Sequence, residues 1–316
     1  MILVTGATGY TGRFLVRRLV EGGEHLRCLV RPSSDRRELE QLGVEMVIGD
    51  LEEVEEVRHA FAGVRLIFHL AHIRYTRTVV ACADSTLECA VLVSSLRYFS
   101  RVPSPSVEEV VAGEKCATDS DLPGIILRPS MIYGPGDDRN ISRMAAFLRK
   151  RRWFPVFGSG MAFQQPVYVE DVVDGILAAT NHSCAVGNSY ALAGAEALTY
   201  DQVVNLVGEA VGVNPVKVHI PVKLALWGAW LTECVGLRTG NRFSACRRIR
   251  HIQSRPLVPI SVTGRWRWPK GWPRSMVGKG GMGELSREYA RGGSDAGGPG
   301  DSLWGHLGGA AVRAAP

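Results

Sequence analysis

The 316-residue sequence predicts an α/β fold, a doubly wound parallel sheet with a small C-terminal lobe and an irregular tail. Three observations predict it. Short apolar runs alternate with helical patterns from the first residue, as strands joined by crossover helices do. A glycine-rich turn links the first run to the first helix. From about residue 241 the periodicity vanishes and the chain becomes basic and glycine-rich.

The elements follow in order. MILVTG is a short buried strand, and Tyr10–Glu21 places Phe14, Leu15, Leu19 and Val20 on one helical face. LRCLVR (26–31) and VEMVIGD (44–50) are the second and third strands, separated by a short charged helix. EVEEVRHAF is helical, VRLIFHLA (64–71) is a fourth strand, and TRTVVACADS is a helix leading into ECAVLVSS (88–95). GIILRPS (124–130) is a sixth strand, and 140–152 reads as a basic amphipathic helix. Their wholly apolar character suits a sheet covered on both faces. QPVYVEDVVDGILAAT then gives a strand and a helix with acids in its first turn. NSYALAG and LTYDQVVNLVGEAVG repeat the pattern, with Thr199 as N-cap. The expected domains are 1–185, dinucleotide-binding; 186–240, a substrate or lid lobe; and 241–316, a poorly ordered tail.

Composition narrows the function classes. Residues 241–316 hold 13 Lys and Arg against 4 Asp and Glu, whereas 1–240 hold 24 against 27. The overall charge of +6 therefore belongs to the tail, and no nucleic-acid groove is expected on the body. Arginines and tryptophans in the tail leave three readings: a weakly packed end, a basic arm for nucleic acid or membrane, or a change of reading frame near 241. The seven cysteines show no C-x-x-C spacing, which points to free thiols in a reducing compartment and to no metal site. VKLALWGAWLTECVGL (222–237), interrupted by Lys223 and Glu233, falls short of the roughly 20 residues of a membrane span. The reading is a soluble, cytoplasmic protein with no transmembrane span.

TGATGYTG (5–12) carries Gly6, Gly9 and Gly12 between a strand and a helix. Gly6 permits the tight turn, Gly9 lets a pyrophosphate approach the helix N-terminus, and Gly12 allows close helix–strand packing. With LRPSMIYGPG (127–136) and PVYVEDVVDGI (166–176), the pattern resembles the extended and atypical short-chain dehydrogenase/reductases over roughly residues 1–215. That group includes NAD-dependent epimerase/dehydratase-like and NmrA-like proteins and the NADPH-binding accessory subunit of respiratory complex I. The resemblance implies a Rossmann sheet and a bound nicotinamide dinucleotide. It places Thr8 and Tyr10 in the phosphate turn, Asp50 and Leu51 by the adenine, and Leu70, Ala71 and His72 by the ribose. Ser94 and Pro129 then lie toward the nicotinamide. Strand two ends at Arg31, where NAD enzymes usually carry a carboxylate; an arginine suits a 2′-phosphate, so NADP(H) is favoured over NAD(H).

The same resemblance implies a Tyr-x-x-x-Lys pair one helical turn apart, for proton transfer. The chain contains no such pair. Measured from the AGE segment (112–114), the tyrosine's place falls at Ser106 and the lysine's at Val110, and the active-site hydroxyl's place falls at Leu96. Substitute groups are Tyr98, Ser95 and Arg101, of which Tyr98 and Arg101 could form a phenol–cation pair. Three functions stay open: a catalytically weak, cofactor-holding protein; an active epimerase, dehydratase or reductase on a sugar nucleotide or small carbonyl compound; and a non-enzymatic redox sensor or assembly subunit. A protein partner or homodimer fits the last.

Overall fold

The computed structural model describes residues 1–181 and 185–223. The expected tail, 241–316, and the last part of the expected lobe lie outside the described residues.

The chain begins with β1 (Ile2–Thr5), α1 (Tyr10–Glu21), β2 (Leu26–Val30), α2 (Arg37–Gln41), β3 (Glu45–Ile48) and α3 (Val54–Val57). It continues with β4 (Leu66–His69), α4 (Thr76–Cys82), β5 (Cys89–Val93), α5 (Pro105–Thr118), β6 (Gly124–Pro129) and β7 (Ile132–Tyr133). Then come α6 (Ile141–Lys150), β8 (Trp153–Phe157), β9 (Phe163–Gln164), β10 (Val167–Tyr168) and α7 (Val169–Thr180). The last are β11 (Ser189–Leu192), β12 (Leu198–Thr199), α8 (Tyr200–Ala210) and β13 (Val216–Ile220).

Seven strands form one sheet in the order β11-β6-β5-β4-β1-β2-β3, all pairs parallel. The order reverses between β1 and β4, the switch point at which such sheets bind ligands. Alternation along each strand splits the core into two layers. Val4, Cys28, Phe68, Val91 and Leu127 face one side, packing with Leu15 and Val16 of α1 and Val172, Val173 and Ile176 of α7. Leu3, Leu29, Ile67, Leu92 and Ile126 face the other, against Val57, Val79 and Val110. Burial drives this sandwich, at about 25 cal/mol per Å² of apolar surface removed from water. Arg18 of α1 adds ion pairs to Glu170 and Asp174 of α7 at 3.3 and 3.0 Å. Burial also raises the Cys28 thiol to about 12, so this cysteine is an inert apolar filler.

Contacts divide the chain into two units. The first is Met1–Gly134 with Gln165–Gly194, and the second, among the described residues, is Pro135–Gln164 with 195–223. The sequence groups residues 186–194 with the small lobe, yet β11 is the seventh strand of the main sheet, because α7 acts as one more crossover. In the second unit β8 pairs with β13 in parallel and β9 with β12 antiparallel. Phe147 of α6 meets Trp153 and Phe154 edge-on at 5.6 and 5.5 Å. Thr199 caps α8 as expected: its hydroxyl accepts from the Gln202 amide at 3.2 Å, while the Gln202 side chain accepts from the Thr199 amide at 2.7 Å. No helix among the described residues is long and apolar enough to cross a membrane.

Candidate functional site

The β1–α1 turn is built by close backbone approach. Gly6 has φ +73°, in the left-handed region that favours glycine. A Cβ there would lie 2.5 Å from the Ala71 nitrogen and 2.6 Å from the Leu70 carbonyl carbon. Leu70 and Ala71, expected beside the ribose, therefore brace the turn, and the Leu70 amide donates to the Thr5 carbonyl at 3.0 Å. A Cβ at Gly12 would overlap the Gly6 carbonyl oxygen, so this glycine is required by the fold itself. Gly9 differs. It is exposed, its backbone is extended (φ −73°, ψ 168°), and an added Cβ would meet only the Gly6 oxygen, at 3.0 Å. The protein itself presses on an added Cβ there through that one backbone oxygen, whereas a ligand lying on the N-terminus of α1 would fill the open side. The open cradle thus fits a pyrophosphate. Thr8 is partly exposed beside it, and the Tyr10 ring packs edge-on against Phe14 at 5.6 Å.

The neighbouring strand ends supply the other expected positions. Arg31 follows β2 with an exposed side chain, and its carbonyl accepts from the Ser34 amide at 3.0 Å. Asp50 caps its own turn, its carboxylate accepting from the Glu52 amide at 3.1 Å. Leu51 is buried, and its carbonyl accepts from the Thr78 hydroxyl at 2.7 Å. His72 accepts from the Arg74 amide through Nδ1 at 3.3 Å, which leaves the proton of the neutral ring on Nε2. Burial holds its pKa below the usual imidazole value. His69, the last residue of β4, is fully buried and hydrogen-bonded to Thr5 Oγ1 at 2.7 Å. Its Nε2 has no partner among the described residues, and burial lowers its pKa to about 4.

At the ends of β5 and β6 the geometry departs from the sequence reading. The Ser94 hydroxyl donates to the Glu114 carboxylate. Glu114 is 2% exposed and grips Arg128 through Nε–Oε1 and Nε–Oε2 contacts of 3.0 Å and an Nη2–Oε2 contact of 2.6 Å. The Arg128 guanidinium lies 4.3 Å from the Tyr98 ring centroid and 5.1 Å from that of Phe99. The cation over Tyr98 is therefore Arg128, where the sequence pairs Tyr98 with Arg101. The acid in AGE and the arginine in LRPS gave the signal for this ion pair, but periodicity cannot say that they meet. Ser95 caps a 3-10 turn over Leu96–Phe99, accepting from the Arg97 amide at 3.3 Å. Pro129, the last residue of β6, is buried beside Leu192 of β11.

α5 starts sharply. Ser104 accepts from the Val107 amide at 3.3 Å, with Pro105 in the first turn. A Cβ at Gly113 would overlap the Ile73 carbonyl, so glycine lets α5 press against the turn after β4. Ser106 lies in the first turn, where Arg97 Nη1 donates to its hydroxyl at 2.9 Å. Val110 is 3% exposed and packs in the core layer. A shallow depression in the second unit, lined by Asn205, Glu209, Val213, Asn214 and Lys217, contains none of these residues.

The relatives agree with this geometry. Residues 1–85 match the NmrA-like family and residues 110–193 the NAD dependent epimerase/dehydratase family. A 2-alkyl-3-oxoalkanoate reductase of Stenotrophomonas maltophilia is 30% identical over 266 residues, covering 71% of this chain and 79% of its own. The mitochondrial NADH dehydrogenase (ubiquinone) 1 alpha subcomplex subunit 9 of Mus musculus is 27% identical over 286 residues, covering 83% and 74%. The crystal structure of gox2253 matches with a TM-score of 0.64 at 25% identity, covering 80% of this chain and 88% of that one. A cradle that fits a pyrophosphate, the reversed strand order and these relatives converge: the chain belongs to the extended short-chain dehydrogenase/reductase superfamily, among its NmrA-like and NAD(P)-binding epimerase/dehydratase members.

Proposed function

We propose that this protein holds NADP(H) on the β1–α1 turn and performs little proton-transfer catalysis by the tyrosine–lysine route. One contrast carries the reading. The cradle is complete down to an open Gly9, while α5 offers a serine and a buried valine where the pair is expected. In this reading Gly6, Gly9 and Gly12 shape the phosphate turn. The backbone of Thr8 and Tyr10 faces the pyrophosphate, Asp50 and Leu51 border the adenine, and Leu70, Ala71 and His72 border the ribose. Bound NADP(H) would supply or accept a hydride; the chain's own residues bind and orient it. The preference for the 2′-phosphate rests on Arg31, which makes no hydrogen bond or ion pair through its side chain among the described residues and so remains available to a ligand.

Fluorescence titration with NADPH and NADH tests this. NADPH should bind more tightly, and Arg31→Glu should weaken NADPH while leaving NADH nearly unchanged. Equal loss of both cofactors removes the role given to Arg31. A second reading, an active reductase of a carbonyl compound, is favoured by the 30% identical reductase. Substrate-dependent NADPH oxidation that survives Tyr98→Phe, Ser95→Ala and Arg101→Gln would require yet another acid. A hundredfold fall in Tyr98→Phe alone would identify the phenol as that acid. The complex I subunit relatives support a protein partner for the non-catalytic form, which co-purification would reveal.

A further inference from the structure

We propose that the outer face of the β8–β13 ribbon, in the second unit, docks on an anionic lipid surface. The inference is independent of the cofactor reading, because it concerns residues of that unit alone.

Strand pairing defines the face. In the parallel register Trp153 lies beside Val216, Pro155 beside Val218 and Phe157 beside Ile220. Side chains alternate across a strand, so these six share one side of the ribbon. All are apolar. Trp153 is 40% exposed, Val216 64% and Val218 43%, while Pro155, Phe157 and Ile220 are half-buried. The other side holds the fully buried Val156 together with Lys217 and His219, which reach Asp201 of α8 at 3.8 and 3.1 Å. A ribbon with one side in water usually turns its polar residues that way, and this one does the reverse. Phe147 of α6 meets Trp153 edge-on at 5.6 Å and supports the ring from the protein side.

Charge identifies the occupant. Arg149, Lys150, Arg151 and Arg152 are exposed directly before Trp153, and Lys223 is exposed shortly after β13 ends. No Asp or Glu occurs from 139 to 169 or from 210 to 223. The described residues of the second unit hold 8 Lys and Arg against 5 Asp and Glu, whereas the first unit holds 15 against 21. Cations flanking an apolar strip, with a tryptophan at their border, complement headgroup phosphates lying over acyl chains. A second copy fits less well, because a two-fold contact on this face would bring two acid-free basic runs together. A nucleic acid strand would stack on aromatic platforms, and this strip is mostly aliphatic.

Vesicle sedimentation with the full chain tests this, using phosphatidylcholine alone and an equimolar mixture with phosphatidylserine. Partitioning onto the mixed vesicles should exceed that onto the neutral ones roughly tenfold or more, and added salt should shrink the difference. Arg151→Gln with Arg152→Gln should lower it roughly tenfold or more, at about fivefold for each cation near the surface. Trp153→Ser with Val218→Ser should lower it roughly tenfold, for the apolar area withheld from the bilayer. Lipids brominated in their acyl chains should quench the wild type more than Trp153→Phe, which keeps an aromatic ring beside Phe147. Equal quenching of those two, or equal partitioning onto neutral and anionic vesicles, overturns the proposal. So does wild-type partitioning in both double variants, which would leave any lipid binding to the basic chain beyond 241. Loss in the arginine variant alone marks a charged patch that any acidic partner would fill, and it overturns the lipid assignment. The assignment also falls if the chain ignores vesicles and instead forms a dimer that Trp153→Ser with Val218→Ser dissociates. It falls again if that variant melts several degrees early yet binds vesicles normally, because the face then belongs to the chain's own later residues.

Discussion

Gly9→Val and Gly12→Ala separate a glycine kept for a ligand from a glycine kept for the fold. At Gly9 the backbone is already extended, a conformation β-branched residues adopt freely, and the nearest atom to an added Cβ is the Gly6 oxygen at 3.0 Å. Removing glycine there lowers the entropy of the unfolded chain by about 0.4–1 kcal/mol, which offsets the crowding against that one oxygen. The cofactor-free melting temperature should therefore stay within a few degrees of wild type. At Gly12 the added carbon would overlap the Gly6 carbonyl and crowd Ala7 at 2.9 Å, all backbone, so α1 must move; overpacking of this kind costs about 1–3 kcal/mol or more. Saturation with NADPH at about 100 times its dissociation constant adds about 2.7 kcal/mol to the wild type. In a domain of this size that is an upward shift of roughly 5–10 °C. Differential scanning fluorimetry with and without NADPH reads both quantities. The Gly9 variant should keep its own melting point and lose the NADPH shift, whereas the Gly12 variant should melt early even without cofactor. A Gly9→Val protein that still gains the full shift refutes the placement of the pyrophosphate, and a Gly12→Ala protein that melts like wild type refutes the packing argument.

Other perturbations test other parts. Arg128→Met leaves Glu114 buried without its cation, so denaturant unfolding should show a loss of about 3–5 kcal/mol, the usual cost of breaking a buried pair from one side. His69 is held near pKa 4 by burial, below its unfolded value near 6.5, so the unfolded chain binds the extra proton between those values. Stability from this group is complete above pH 6.5 and should fall by up to about 3 kcal/mol as pH drops toward 4; urea titrations across that range should be visibly flatter in His69→Asn. Restoring Ser106→Tyr and Val110→Lys together with Leu96→Ser should raise any NADPH-dependent ketone reduction by about 10²–10⁴, the usual size of general acid catalysis. Because Val110 is 3% exposed, the same protein should melt below wild type unless NADP(H) is bound; unchanged turnover would show that α5 does not face the reacting carbonyl.

What was legible in the sequence was what local chemistry decides. Tyr10–Glu21 forms a helix and MILVTG a strand because their apolar residues repeat at the right periods, and the structure matches both. Thr199 was readable because a capping box is a contact between neighbours three residues apart. The three glycines were readable as a group, but not their separate roles. Only the distances show that Gly6 and Gly12 are demanded by Leu70, Ala71 and the turn itself, leaving Gly9 as the one of the three that the protein crowds least.

What was not legible depends on pairs far apart in the chain. Tyr98 and Arg101 look like partners because they are three residues apart, but the 3-10 turn that holds Tyr98 ends at Phe99. Yet a guanidinium from β6, 30 positions later in the chain than Tyr98, occupies the ring instead. It can do so because Glu114 of α5 pairs with it and balances its charge, which makes a buried arginine tolerable beside two aromatic rings. That arrangement also engages the Ser94 hydroxyl, the group that the family resemblance would send toward the nicotinamide. The absence of Tyr-x-x-x-Lys and the presence of this network therefore describe one region from two sides. Where proton-transfer groups are expected, Ser94, Glu114 and Arg128 are bonded to one another and Arg97 to Ser106.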